Sequence, residues 1–373
     1  MKKMIKLSLV AAVAVAGLTT NAAAGSLEDA IKDTSVSGKV LVGFNNKVTN
    51  AGAGAQDATS NEIEYDLDIK FKSKVNDMVT AVVGFQADHE NKLDDSNTTD
   101  STKGGDTMTL TNAHFVAKTD MVTVIAGKQK VGTPFLDDDR GDGVVALIPA
   151  GPVTVAAAHF VNTNAASGAL ANVDVSAAAL IGSFGPVNLT AWALQTSIID
   201  GLSINVNGTF GPVTVDANYA STTADADGSE KESLTKVIVS GKIANFSVLA
   251  GYGMTNDTTA ARGNGVDLTS DNDAANNFAL DITRLDSYND ASAMLIGAGA
   301  SFGSTSVDAK YLVATIDGNG GVDTDATELN IAAAYKMSKN FSVTGLYAAQ
   351  EIDNNAGTKS TDDRMELSLN YKF

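Results

Sequence analysis

Cysteine is absent from the 373-residue sequence, tryptophan occurs once and proline five times. Without cysteine the chain has no disulfide framework, and thiol chemistry and thiolate metal sites are excluded. Beyond residue 24 the chain also lacks an apolar run near the ~18 residues that a membrane-spanning helix needs, which excludes a helical membrane protein. Backbone pairing and side-chain packing must therefore hold the fold together.

The first 24 residues have the pattern of a secretory signal peptide. Lys2, Lys3 and Lys6 precede a short apolar stretch over 7–18, and three alanines end at residue 24. We expect cleavage there, which leaves 25–373 as one barrel domain and changes the formal charge from −18 to −21. An acidic excess of that size argues against nucleic acid as a partner, since phosphates would be repelled.

Period-two alternation of apolar and polar residues indicates the fold class. Residues 62–72 and 364–373 both alternate strictly. In residues 62–72 four acids and two lysines share one face, and unpaired buried charge is too costly for a dry core. That face must meet water while the other face, from Ile63 to Phe71, meets an apolar surrounding.

A soluble β-sandwich also alternates, with its apolar faces turned inward, but the connections favour a barrel. Eight short turns alternate with nine long loops, which predicts eighteen antiparallel strands, or sixteen if two weak strands belong to loops. Short periplasmic turns and long outer loops are typical of a transmembrane β-barrel of the outer membrane. Closure is required because lipid cannot hydrogen-bond a free sheet edge. We expect the last strand, Met365 to Phe373, to pair with residues 36–44.

Three segments fit the alternation poorly. The strand over 144–148 is short, and the apolar phase slips between Leu110 and Phe115, which a β-bulge would explain. Residues 276–290 contain apolar positions without a clean period, and we interpret them as part of a long, partly folded seventh loop.

Several of these segments resemble a known family. Residues 127–130 (GKQK), 141–147 (GDGVVAL) and 151–157 (GPVTVAA), with the terminal Tyr371 and Phe373, resemble Gram-negative porins of the major outer membrane protein branch of epsilonproteobacterial type. The resemblance implies a homotrimer of water-filled barrels, each narrowed by an inward-folded third loop. It also implies that the barrel-assembly machinery recognises Phe373.

The third outer loop, residues 130–143, is the predicted pore constriction. Its charged residues are Asp137, Asp138, Asp139, Arg140 and Asp142. If the loop folds inward, as the resemblance implies, its carboxylates raise the local cation concentration and repel anions. The alternative is a solvated acidic outer loop, since charge runs are usually that.

The predicted pore wall carries both signs of charge. Its residues are Lys39, Glu62, Glu64, Asp66, Asp68, Lys128 and Lys130. Lysines facing the carboxylates would set up a transverse field across the pore. We expect no cofactor or structural metal; a calcium ion at Asp137, Asp139 and Asp142 is the exception to consider, because hard cations prefer carboxylate oxygens.

The leading hypothesis is a non-enzymatic porin in the cell outer membrane that passes small hydrophilic solutes and ions, with a mild preference for cations. A substrate-selective channel is an alternative, which dense inward arginine or an aromatic track would favour; the sequence shows neither. A barrel adhesin acting through its outer loops, and a secreted soluble β-protein, are further alternatives. Acidic outer loops would serve solubility, or bridge to lipopolysaccharide through divalent cations.

Overall fold

The computed structural model describes residues 34–50, 52, 57–92, 108–136, 139–163, 173–258, 266, 268, 275–317, 323–354 and 357–373. The predicted signal peptide, residues 1–24, lies outside these ranges. Within them, no helix is long and apolar enough to cross a membrane. Leu285–Ser287 forms a 3-10 helical turn.

Eighteen antiparallel strands form a single closed sheet, which confirms the larger of the two predicted strand numbers. The strands are β1 Thr34–Asn50, β2 Ala58–Lys74, β3 Val79–Lys92, β4 Thr109–Lys118, β5 Thr123–Lys130, β6 Arg140–Ala150, β7 Val153–Thr163, β8 Val175–Phe184, β9 Val187–Gln195, β10 Ile199–Phe210, β11 Val213–Ala224, β12 Lys231–Ile243, β13 Phe246–Thr255, β14 Ala291–Phe302, β15 Thr305–Ile316, β16 Thr324–Lys336, β17 Phe341–Asp353 and β18 Lys359–Lys372. Each strand pairs with its neighbours in chain order, and β18 pairs with β1. Short turns and longer loops therefore alternate as the sequence predicts, except that the outer connection between β9 and β10 consists only of residues 196–198.

The weak segments have clear structural explanations. The strand predicted over 144–148 is the longer β6, because its first residues pair with β5 and β7. A β-bulge accounts for the phase slip, since Gly84 pairs with Asn112 whereas Phe85 pairs with Leu110. The seventh loop, which we call L7, runs over 256–290 between β13 and β14.

The barrel closes where the alternation of the last strand predicts. Val42 pairs with Leu369 on β18. At the end of the seam the Gly38 amide donates to the carbonyl of Phe373 over 2.9 Å, and the Phe373 amide donates back to Gly38 over 3.1 Å. The terminal residue is thus held by two backbone hydrogen bonds, in addition to its apolar ring on the outer face.

Gly38 leaves no room for a side chain at this seam, so we expect Gly38→Ala to destabilise closure. A Cβ there would lie 2.5 Å from the Asp68 carbonyl oxygen and 2.5 Å from the Phe373 ring, and overpacking costs about 1–3 kcal/mol. The heat-modifiable shift on a gel should occur at a lower temperature. Gly345→Ala on β17 is the control, since its nearest neighbour is 3.8 Å away; equal effects of both changes would contradict the prediction.

Candidate pore constriction

L7 folds into the barrel. Several of its side chains are fully or almost fully buried, among them Asn276 at 0%, Leu285 at 1% and Phe278 at 2% exposure. Within the loop, the Leu285 amide donates to the Phe278 carbonyl, and Ala279 forms a bridge with Arg284. A small hairpin therefore occupies the interior of the barrel at this level.

The first attachment of L7 is made by β10 and β12. The Ser203 hydroxyl of β10 donates to Oδ1 of Asn276 over 2.7 Å. Lys236 of β12, which is 9% exposed, donates through Nζ to the carbonyls of Ala275 and Asn277, over 2.7 and 2.6 Å. A buried ammonium needs several acceptors, and the loop backbone supplies two of them.

Glu328 of β16 makes the second attachment. Its side chain is fully buried, and its two carboxylate oxygens accept hydrogen bonds from the amides of Ile282 and Thr283, over 3.0 and 2.6 Å. Hydrogen bonds to a charged acceptor are stronger than those between neutral groups. Glu328 thus fixes the tip of the L7 hairpin to the wall.

Strands β17 and β18 make the third attachment. Gln350 donates through Nε2 to the Thr283 hydroxyl over 2.9 Å. Arg364 lies 3.0 Å from the carboxylate of Asp281 in L7. These three attachments of L7 therefore run along the inner wall from β10 to β18.

An apolar cluster fills the space beneath the hairpin. Phe278, Leu280 and Leu285 pack there with inward residues of several strands, including Leu312 and Ala293. The Phe278 ring covers β13 at Gly253, where an added Cβ would lie 2.7 Å from it. Burial raises the pKa of the nearby Tyr288 phenol above its usual range, so this residue stays neutral.

The third loop is shorter than predicted. Arg140 and Asp142 belong to β6, where they pair with Lys130 and Lys128 of β5, so the loop covers only 131–139. The prediction of a loop over 130–143 was wrong at both ends because the charged residues there obscured the pairing. We call residues 131–139 L3.

L3 also packs inside the barrel, through apolar rather than charged residues. Phe135 and Leu136 are fully buried, in a cluster with Phe160 of β7 and Leu194 of β9. An added Cβ at Gly201 of β10 would lie 3.0 Å from the Phe135 ring. The Leu268 amide of L7 donates to the Phe135 carbonyl over 3.3 Å, so the two loops meet.

The charged residues predicted for the constriction are only partly described. Asp137 and Asp138 lie outside the described residues. The carbonyl of Asp139 accepts a hydrogen bond from the Val131 amide over 2.8 Å, which closes the base of L3. Their place at the narrowest point of the pore stays a prediction, as does a calcium ion there. Among the described residues, no group of three or more His, Asp or Glu side chains is arranged to hold a metal ion.

The predicted acidic wall lies on the inner face of β2. Glu62 aligns with Asn45 of β1, which in turn aligns with Glu366 of β18. Glu366 shares its strand face with Arg364, the residue that contacts L7 inside the barrel. Glu62 therefore faces the lumen, as do Glu64, Asp66 and Asp68 on the same face of β2. This strand lies outside the group of strands to which the described part of L7 is attached.

One of the predicted wall lysines is paired with this acidic row. Lys39 lies 2.9 Å from Oδ2 of Asp66. The other two, Lys128 and Lys130, lie on β5, away from β2 in the sheet. Lys39 thus offsets one carboxylate of the row locally rather than forming an opposing wall.

Sequence reasoning missed the residues that anchor L7, namely Ser203, Lys236, Glu328, Gln350 and Arg364. All five are polar and fall on inward-facing positions of strands whose sequence alternates between apolar and polar residues. Their inward position could be read from that alternation, but the alternation does not reveal which part of the chain they contact. Their partners in L7 lie 39 to 83 positions away in sequence; Ser203 and Asn276, for example, are 73 positions apart.

Comparison with known proteins supports the fold and the location. Residues 1–181 match the family described as Campylobacter major outer membrane protein, while no curated protein matches the chain. Among solved structures, Pseudomonas aeruginosa OccK9 (OpdG) is similar with a TM-score of 0.73 at 14% identity, covering 92% of this chain and 100% of that one.

Two further structures show the same similarity. Acinetobacter baumannii OccAB4 has a TM-score of 0.69 at 12% identity, covering 92% of this chain and 99% of that one. Pseudomonas aeruginosa OccK2 (OpdF), solved in complex with glucuronate, has a TM-score of 0.68 at 14% identity with the same coverage. At these identities the similarity establishes a shared fold, the closed barrel of eighteen strands.

Proposed function

We propose that the chain, an eighteen-stranded β-barrel whose residues 1–181 match the Campylobacter major outer membrane protein family, is a porin that conducts small hydrophilic solutes and ions by passive diffusion. The proposal assigns no catalytic step to the chain. The observation that carries it is the position of L7, which is tied to the inner wall from β10 to β18. A loop held inside a barrel in this way narrows the lumen.

We infer a preference for cations. The inference rests on the part of the inner wall to which the described residues of L7 are not attached. Glu62, Glu64, Asp66 and Asp68 face the lumen there, and a low-dielectric barrel wall strengthens the field of such a row. Asp66 has a close partner cation, Lys39. Cations should therefore be enriched along this wall relative to anions.

A substrate-selective channel is the second candidate function, and the rigidity of the constriction favours it. The described part of L7 is held by hydrogen bonds and an ion pair from five strands, so this part of the constriction is fixed to the wall. The structure of OccK2 (OpdF) in complex with glucuronate comes from a barrel of the same fold. Saturation of solute flux at low concentration would favour this candidate over general diffusion.

Single-channel conductance in a planar bilayer tests the proposal. Purified, heat-modifiable protein should give discrete conductance steps, and a salt gradient should give a reversal potential of the sign expected for cations. A correctly folded protein that inserts but gives no conductance steps would overturn the proposal. It would favour the alternative of a barrel that acts through its outer loops.

The acidic residues of L3 allow a separate test of the predicted constriction. Replacing Asp137, Asp138 and Asp139 with asparagine should lower the cation preference, because three carboxylates leave the narrow part of the pore. The same change at Asp94, Asp95 and Asp100 of the second outer loop is the control. An unchanged reversal potential in the L3 variant would show that these three carboxylates lie away from the narrow part of the pore.

The remaining expectations concern partners. A homotrimer, divalent-cation bridging of the outer loops to lipopolysaccharide, and recognition of Phe373 by the barrel-assembly machinery stay predictions. The position of Phe373 on the outer face of the closing seam, with both backbone groups paired to Gly38, is compatible with the last of these.

A further inference from the structure

A stretch of the barrel wall differs from the rest of the chain in charge. The charged fraction of the whole sequence is 19%, yet residues 175–224 contain only Asp200 and Asp216 as charged side chains. These residues form β8 to β11 with their connections. Asp200 is near the outer end of β10, next to the loop, so Asp216 is the charged residue of the periplasmic half of this wall.

The inner face of this wall carries a continuous chain of side-chain hydrogen bonds. The Ser183 hydroxyl donates to Asn188 over 2.7 Å, and Asn188 donates through Nδ2 to Asn207 over 3.0 Å. Asn207 donates to Asn205 over 2.8 Å, and Asn205 donates to both carboxylate oxygens of Asp216 over 3.2 Å. The chain crosses four strands, and we call these five residues the amide track.

The amide track retains hydrogen-bonding capacity towards the lumen. A carboxamide has two N–H donors and an oxygen with two lone pairs. Asn188 and Asn207 each use one donor and one acceptor within the track. Asn188 is exposed, and Asn205 and Asn207 are partly exposed, so each presents at least one unused donor or acceptor to a solute.

The only tryptophan of the chain lies at the upper end of the amide track. Trp192 pairs in register with Ser203, the inward residue that contacts L7, and it packs against the L3 cluster while remaining partly exposed. Asn188 lies four residues nearer the periplasm on the same face of β9, roughly 13 Å away at about 3.4 Å per residue. An indole therefore stands directly below the constriction, followed by amides.

We propose that Trp192 and the amide track form a binding site for neutral saccharides just below the constriction, a proposal that rests on the conducting barrel of the proposed function. Hydroxyl groups donate and accept at once, which matches alternating amide donors and acceptors. The C–H faces of a sugar ring are apolar and pack on an indole. The site holds no free cation for an anion, because Lys236 nearby is engaged by two carbonyls of L7.

Fluorescence offers a direct test, since all tryptophan emission comes from Trp192. Folded protein in detergent is titrated with maltotriose, and we expect a saturable change in emission. The double variant Asn205→Ala with Asn207→Ala should weaken the apparent affinity about tenfold, as expected for the loss of two neutral hydrogen bonds. Asn45→Ala with Asn370→Ala is the matched control on the inner wall of β1 and β18, and it should bind as the wild type does.

The results of these experiments distinguish failure of the saccharide site from failure of the channel. In a planar bilayer, maltotriose should also interrupt the ion current reversibly, and less so in the Asn205 and Asn207 variant. A channel that conducts normally, yet shows neither an emission change nor current interruptions, would overturn the saccharide site and leave the channel intact. Equal weakening by the control pair, or tighter binding of a charged trigalacturonate than of maltotriose, would likewise overturn it. A saturable emission change in a protein that does not conduct would instead retain the site and overturn the channel.

Discussion

Glu328→Ala is expected to raise the single-channel conductance and the open-channel noise, because L7 loses the carboxylate that fixes its hairpin to β16. The two lost hydrogen bonds, to the amides of Ile282 and Thr283, have a charged acceptor, and their loss weakens the attachment by roughly 3 kcal/mol. That corresponds to about a hundredfold increase in the fraction of detached loops. Conductance histograms at constant salt measure the effect.

Two further variants show whether the effect is specific to the Glu328 carboxylate. Glu328→Gln keeps the shape and one acceptor oxygen, so its conductance should lie between those of the wild type and the alanine variant. Glu366→Ala removes an inward carboxylate that hydrogen-bonds with Ser368 instead of L7. If Glu328→Ala and Glu366→Ala give the same conductance and noise, the loop is not held by Glu328.

Converting the acidic row of β2 to amides is expected to reduce the cation preference to unity or below. The variant combines Glu62→Gln, Glu64→Gln, Asp66→Asn and Asp68→Asn. It removes four negative charges from the lumen and also releases Lys39 from Asp66. Reversal potentials in a salt gradient measure the change, which should be largest at low ionic strength because screening is weakest there.

A matched variant shows whether the change in cation preference comes from the β2 wall or from the net charge of the protein. The same number of carboxylates is carried by Asp225, Asp227 and Glu230, in the loop between β11 and β12, and by Glu232 at the outer end of β12. Their conversion to amides should shift the reversal potential less, since exposed charges more than a Debye length from the permeating ion are screened. A larger shift in this variant would place the selectivity at the outer mouth.

The barrel itself was predictable because its determinants are local. The alternation from Ile63 to Phe71 indicates which side of β2 faces water, and turns such as Gly185 with Pro186 mark the strand ends. A shift by one residue would exchange the two faces of a strand, so the pattern fixes the register strongly. The same reasoning identified β18 and its closing partner β1.

The constriction was less predictable because its determinants are not local. Phe278, Leu280 and Leu285 of L7 fill an irregular space and therefore follow neither a strand nor a helix period. The sequence pattern predicted no aromatic track in the lumen, whereas Phe135 of L3 and Trp192, which packs against the same cluster, lie inside the barrel. In L3 the prediction was based on the run of acidic residues, whereas the buried apolar residues beside that run hold the loop in place.

L7 also acts on the shape of the barrel. A ring of hydrogen-bonded strands resists sliding of one strand along the next, but it bends easily at each strand and can flatten. The described part of L7 is attached to the inner wall at several strands from β10 to β18, with Ser203 and Arg364 at the two ends, and a tie of this kind resists the separation of these strands. The width of this part of the pore is then set by a loop as well as by the strands.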